Sequence, residues 1–194
     1  MQRFVAASAA LRIGSPFDER TDLGHKVSLP TLATIARCVQ QAVADGAQLA
    51  LGGHRPAQPP TPGGYWFSPT VLTQVDPAME VMRREIFGPV LPIVAFDRFD
   101  DALRIVNDSR YGLSAYLFTN DMPTIMRAVT DVGFGEVYVN RVGPESLQGF
   151  HGGYGDSGLG GDDGAHGLEA YLRKKTVYLN YSGRATVPLM PYRP

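Results

Sequence analysis

The sequence predicts an α/β protein: a layered domain on a parallel βαβαβ unit, completed by a C-terminal strand. Three observations predict it. Short apolar runs at 90–96 (VLPIVAF), 113–118 (LSAYLF) and 136–140 (EVYVN) suit strands. Helix-period segments lie between them, one carrying Leu103 and Val106 and one spanning 122–132. The links are short, so these strands should pair in parallel with helices packed on the sheet. A chain of 194 residues that is 44% hydrophobic and 19% charged can bury a sizeable core.

The remaining elements follow in order. Phe4, Val5, Ala9 and Leu11 fall at roughly helical spacing, with Gly14 as a stop. A loop containing Pro16 and Gly24 leads to Ser28, an N-cap, and Pro30, in the first turn of a helix running to about Asp45. Gly46 stands where a left-handed residue ends a helix. AQLAL (47–51) is a short strand, and GGHRPAQPPTPGG (52–64) a Pro/Gly loop. Asp97, Asp100 and Asp101 crowd a helix start, where acidic groups match the dipole. After residue 140 the chain turns glycine-rich, forms a helix near 165–173 and ends in a strand, TVYLNY (176–181), with a Pro-rich tail.

Charge and composition exclude several classes. A net charge of −1 with scattered Lys and Arg predicts no nucleic-acid or membrane attraction. No apolar run approaches the roughly 20 residues of a membrane span, and the N-terminus reads as an amphipathic helix rather than a signal peptide. One cysteine excludes an internal disulfide framework and fits a reducing cytoplasm. The histidines at 25, 54, 151 and 166 show no recognised metal-ligand spacing, so no metal is expected.

The stretch GGYGDSGLGGDDG (152–164) contains both a G-x-G-x-x-G spacing and GDSG. A pyrophosphate turn needs a preceding strand and an opening helix, whereas SLQGFHG precedes this one and two aspartates follow. A serine-protease loop needs a histidine partner for Ser157 and a double β-barrel; Ser157 is expected to be a turn residue. Cys38 borders the stripe of Ile35, Val39, Ala42 and Val43 and is expected to be packed rather than reactive. Two stretches stand out as site candidates. RREIFGPVLP (83–92) holds Glu85 beside an aromatic and a Gly-Pro turn. NRVGPESLQGFHGG (140–153) leaves the carboxyl end of a strand, where α/β ligands sit, and carries Glu145 and His151.

EIFGPV, NDSRYGLSAYLFTND, GEVYVN and SGLGGDDGAHGL, in this order, closely resemble the C-terminal part of the NAD(P)-dependent aldehyde dehydrogenase superfamily. The resemblance runs from near residue 1 to about 181, and LQGFHGGYGDSGLGGDDGAHGLEAYL is most similar to the lactaldehyde/glycolaldehyde dehydrogenase branch. It implies that residues 1–173 are the C-terminal portion of a catalytic domain. Residues 174–194 would then be an oligomerisation strand and tail, giving self-association through that strand.

The resemblance also assigns residues. Glu85 would hydrogen-bond the nicotinamide ribose and Phe87 lie against the nicotinamide. Glu145 and His151 would line the substrate pocket, where both can hydrogen-bond the hydroxyl of a small hydroxyaldehyde. The family reaction joins a cysteine thiolate to the aldehyde, passes hydride to NAD(P) and hydrolyses the thioester with a glutamate-activated water. Its catalytic cysteine, base glutamate and cofactor-binding domain lie upstream of the matched region. This chain is therefore expected to hold no catalytic residue, to bind NAD or NADP poorly by itself and to be inactive alone. Two other outcomes are an interaction module and a half that an N-terminal half chain complements. Three positions depart from the pattern: Arg84 replaces an acid, Gly24-His25 a Gly-Pro, and Ala165 a basic residue.

Overall fold

The computed structural model describes residues 1–181 and 183. They form two compact units, one of residues 1–110 and 119–133, the other of 111–118 and 134 onward.

The first unit is organised by helix α2 (Leu29–Ala44), which follows helix α1 (Gln2–Ala9). The Ser28 side chain accepts the Thr31 N–H at 3.3 Å, Pro30 occupies the first turn, and Gly46 has φ 108°. The predicted caps therefore bound this helix. Leu32, Ile35, Val39 and Ala42 recur at helical spacing and are buried, as is Cys38 beside them. They pack with Phe67, Leu72, Val75 and Val81 into the core. Each fully buried aliphatic side chain contributes about 1.5–3 kcal/mol.

Three strands complete this unit: β1 (Gln48–Leu51), β2 (Thr70–Thr73) and β3 (Val90–Pro92). The short helix α3 (Glu80–Arg83) lies between β2 and β3 in sequence, and α4 (Phe99–Asn107) follows. β2 is central, antiparallel to β1 and parallel to β3, with Val71 opposite Leu91. TVLT is short, begins beside Pro69 and shows no alternation, so its pattern does not announce a strand. Its first three residues are all buried, as a central strand requires. The buried Thr70 hydroxyl accepts the Gly53 N–H at 2.9 Å and donates to the Ser68 carbonyl at 2.9 Å, so its polarity is satisfied.

Two expectations are corrected here. The 90–96 strand stops at Pro92, opposite Leu72, with one further bond from Ile93 N–H to the Leu72 carbonyl at 2.9 Å. The three predicted strands also do not share one parallel sheet, since β3 belongs to the sheet of β1 and β2. Helix α5 (Met122–Asp131) belongs to the first unit; Asp121 caps it by accepting the Thr124 N–H at 2.9 Å.

The second unit contains β4 (Tyr111–Gly112), β5 (Ser114–Leu117), β6 (Glu136–Val139), β7 (Tyr154–Gly155) and helix α6 (Gly164–Ala170). β5 and β6 pair in parallel as predicted, Ser114 opposite Glu136 and Tyr116 opposite Tyr138. β7 pairs antiparallel with β4. Residues 176–181, expected to pair across a subunit interface, take no strand partner among the described residues of this chain, and Tyr178 and Tyr181 are 93% and 94% exposed. A strand needs a neighbour to satisfy its ladder. The Pro-rich tail lies outside the described residues. Among those residues no helix is long and apolar enough to cross a membrane.

Candidate functional site

In the first unit, Glu85 and Phe87 leave the end of α3 on an extended segment and both are exposed. Phe87 has φ 56°, a left-handed conformation that a bulky residue seldom adopts, and its side chain is 73% exposed. Such strain collects at ligand sites. Gly88 follows because a β-carbon there would lie 2.7 Å from the Ile35 side chain. Glu85, Phe87, Arg84, Val81 and Pro92 line an open groove.

Arg84 has a role of its own, donating to Glu80 at 3.4 Å. Arg37 grips the same carboxylate from α2 through two bonds of 2.7 and 2.8 Å. Chiefly because of Arg37, the Glu80 carboxyl falls to about 2. Cys38 lies beneath this cluster, its Sγ 3.8 Å from Glu80 Oε1, fully buried. Burial, seconded by the Glu80 charge, pushes its thiol up. A neutral, covered thiol is inert, as expected for a packed helix cysteine.

In the second unit, Glu145 and His151 come together on the loop after β6, with 4.0 Å between His151 Nδ1 and Glu145 Oε1. A third residue joins them that the sequence did not mark as a candidate. Glu136, at the start of β6, places Oε1 3.1 Å from the same Nδ1 and is only 13% exposed. Its Oε2 accepts the Tyr138 hydroxyl at 3.1 Å, and Tyr138 stacks on Tyr116 at 4.9 Å. Residues two apart on a strand share a face, so GEVYVN does place Glu136 and Tyr138 together; nothing local shows that His151 returns to meet them.

The backbone brings it back. His151 and Asp162 exchange two N–H···O bonds of 3.1 and 2.7 Å, pinning the glycine-rich segment to itself. A β-carbon on Gly135 would fall 1.7 Å from the Gly152 carbonyl oxygen, so only glycine lets the loop press against the start of β6. Ser157, the serine of GDSG, accepts the Gly112 N–H at 3.0 Å and so ties the segment to β4. No helix opens after Gly158; the next begins at Gly164. The segment is therefore a folded connector and has no pyrophosphate-turn geometry.

Glu136 raises the His151 imidazole above its ordinary value, with smaller contributions from Glu145 and Asp163 and with burial opposing. The Tyr138 phenol is also raised, first by burial and then by Glu136. Glu136, Glu145 and His151 each bring one ligand-capable atom within 4.8 Å of the others. The cluster sets an imidazole beside two acidic side chains, able to donate to or accept from a small polar ligand.

Residues 1–177 match the aldehyde dehydrogenase family. The chain is 46% identical over 182 residues to 3,6-anhydro-alpha-L-galactose dehydrogenase of Streptomyces coelicolor, covering 94% of this chain and 37% of that protein. It is 41% identical over 181 residues to lactaldehyde dehydrogenase of Escherichia coli, covering 92% of this chain and 37% of the relative. Among solved structures, 3,6-anhydro-L-galactose dehydrogenase in complex with NAP superposes with a TM-score of 0.88 at 44% identity, over 93% of this chain and 38% of that one. Betaine aldehyde dehydrogenase of Staphylococcus aureus in complex with NAD+ superposes with a TM-score of 0.89 at 32% identity, over 97% of this chain and 37% of that one. The chain thus spans a little over a third of the relatives it matches. With matches along nearly its whole length, the chain belongs to the aldehyde dehydrogenase family.

Proposed function

We propose that this chain is part of an NAD(P)-dependent aldehyde dehydrogenase that oxidises a small hydroxyaldehyde to its acid. The observation that carries the reading is the convergence of Glu145 and His151, in a chain similar to lactaldehyde and anhydrogalactose dehydrogenases. A carboxylate and an imidazole side by side can accept from and donate to a hydroxyl next to the reacting carbonyl. In this reading Glu85 would accept the hydroxyls of a nicotinamide ribose and Phe87 would lie against the nicotinamide; both side chains are exposed. The bound dinucleotide would supply the hydride acceptor. A reducing, cytoplasmic setting suits a chain whose one cysteine is buried.

The 194 residues by themselves are inactive under this proposal. The family reaction needs an accessible thiolate, and Cys38 is buried with its thiol pushed up. Purified chain incubated with lactaldehyde or glycolaldehyde and NAD+ or NADP+ should form no reduced dinucleotide. Its formation would overturn the expected inactivity of the chain alone. Co-expression with a polypeptide carrying the family's cysteine and cofactor-binding segments should restore oxidation, and an inert complex would sink that version.

A second reading, a self-associating interaction module, is favoured by the exposed apolar residues of 171–181. Tyr171, Tyr178 and Tyr181 are 87%, 93% and 94% exposed, and such a segment suits pairing with a second chain. A monodisperse monomer at high concentration in sedimentation would count against it.

A further inference from the structure

We propose that Glu136 is a positioning residue for His151, holding the Nδ1 edge of its ring against β6 and leaving Nε2 as the nitrogen available to a ligand. Nδ1 is fully covered, whereas the His151 side chain as a whole is 34% exposed. The covered nitrogen sits 3.1 Å from Glu136 Oε1, at ion-pair distance, and makes no hydrogen bond in this geometry. Glu136 is itself anchored. Its second oxygen accepts from Tyr138, whose ring stacks on Tyr116 across the β5–β6 pair at an interplanar angle of 14°. At its other end, His151 is held by the paired backbone bonds to Asp162. The ring is thus fixed both through its backbone and along one edge.

The chemistry follows from which proton the carboxylate keeps. In neutral His151, Glu136 retains the hydrogen on Nδ1, so Nε2 offers a lone pair and accepts from a ligand hydroxyl. In the imidazolium, Nε2–H donates to a hydroxyl or carboxylate oxygen. The charged groups acting on the ring are Glu136 from β6, Glu145 from the loop and Asp163 from the start of α6. All three are acidic and favour the imidazolium, and the Tyr138 phenol beside Glu136 remains neutral. Glu145 is the more exposed carboxylate of the pair, at 45%, and lies farther away at 4.0 Å. It is the partner left to share a ligand, while Glu136 sets the ring. The hydroxyl-bearing ligand rests on the function proposed above; the tautomer does not.

The test is a long-range nitrogen–proton correlation spectrum of the isotope-labelled chain. It has four histidines, and His151 is identified by the signal missing from H151N. The wild-type protein above the His151 titration should show the Nδ1–H tautomer; the Nε2–H tautomer overturns the proposal whatever any variant does. E136Q should lower the His151 midpoint toward that of ordinary imidazole and mix the tautomers. E145Q should lower the midpoint less and leave the tautomer in place. Equal effects of the two variants would refute the assignment. If E136Q also disturbs the signals of His25, His54 and His166, E136D replaces it and should keep the Nδ1–H tautomer; its loss counts against the proposal. A saturable change at His151 on adding zinc chloride would assign the cluster to a metal and overturn it. Failure of the co-expressed complex to oxidise a hydroxyaldehyde would leave these ring measurements unchanged, so the two readings fail separately.

Discussion

Replacing Gly135 with alanine tests how the fold delivers His151 to Glu136. The added β-carbon would sit 1.7 Å from the Gly152 carbonyl oxygen and 2.8 Å from its carbon. That oxygen must retreat by more than an ångström, and being backbone it cannot rotate aside as a flexible side chain would. Gly135 is not among the residues with left-handed φ, so alanine is compatible with its backbone and the cost is steric. Overpacking of this kind costs about 1–3 kcal/mol. Alanine also restricts the unfolded chain, which returns about 0.4–1 kcal/mol. The clash wins, leaving a net loss on the order of 1–2 kcal/mol. With a urea m-value of about 1–3 kcal/mol/M, the unfolding midpoint should fall by roughly 0.3–2 M. Because His151 adjoins Gly152, the same shift separates its ring from Glu136 and lowers its titration midpoint. G24A is the control, since a β-carbon there meets nothing within 4 Å. G135A with wild-type urea stability and an unmoved His151 midpoint would refute the reasoning.

Glu80 gives the chain a distinct acid response. Its folded carboxyl lies at about 2 against an ordinary 4.5, chiefly through the Arg37 bonds. A depressed carboxylate contributes stability that is whole above pH 4.5 and lost as pH falls toward 2. E80Q should remove this component, flattening urea midpoints across that window; an unchanged slope would count against it. S157A should cost about 1 kcal/mol by depriving the Gly112 N–H of its acceptor. Wild-type Ser157 should resist fluorophosphonate labelling, and a labelled Ser157 would contradict its structural role.

Local signals were fully legible in the sequence. Ser28, Pro30 and Gly46 bound α2 as read, because caps depend on backbone conformation within a few residues. The β5–α5–β6 order and its parallel pairing were legible for the same reason. The family, too, was carried by contiguous motifs, and residues 1–177 match it. The sequence also pointed to Glu145 and His151 on one loop. What it did not reveal depends on groups far apart along the chain. β2 is a strand because β1 and β3 flank it, although TVLT alone shows no strand period. β3 joined that sheet rather than the β5–β6 pair, a choice among partners that no local pattern encodes. Glu136 entered the site for a similar reason. Its place on β6 is local, but its meeting with His151 depends on Gly135 and Gly152 letting two backbone stretches touch.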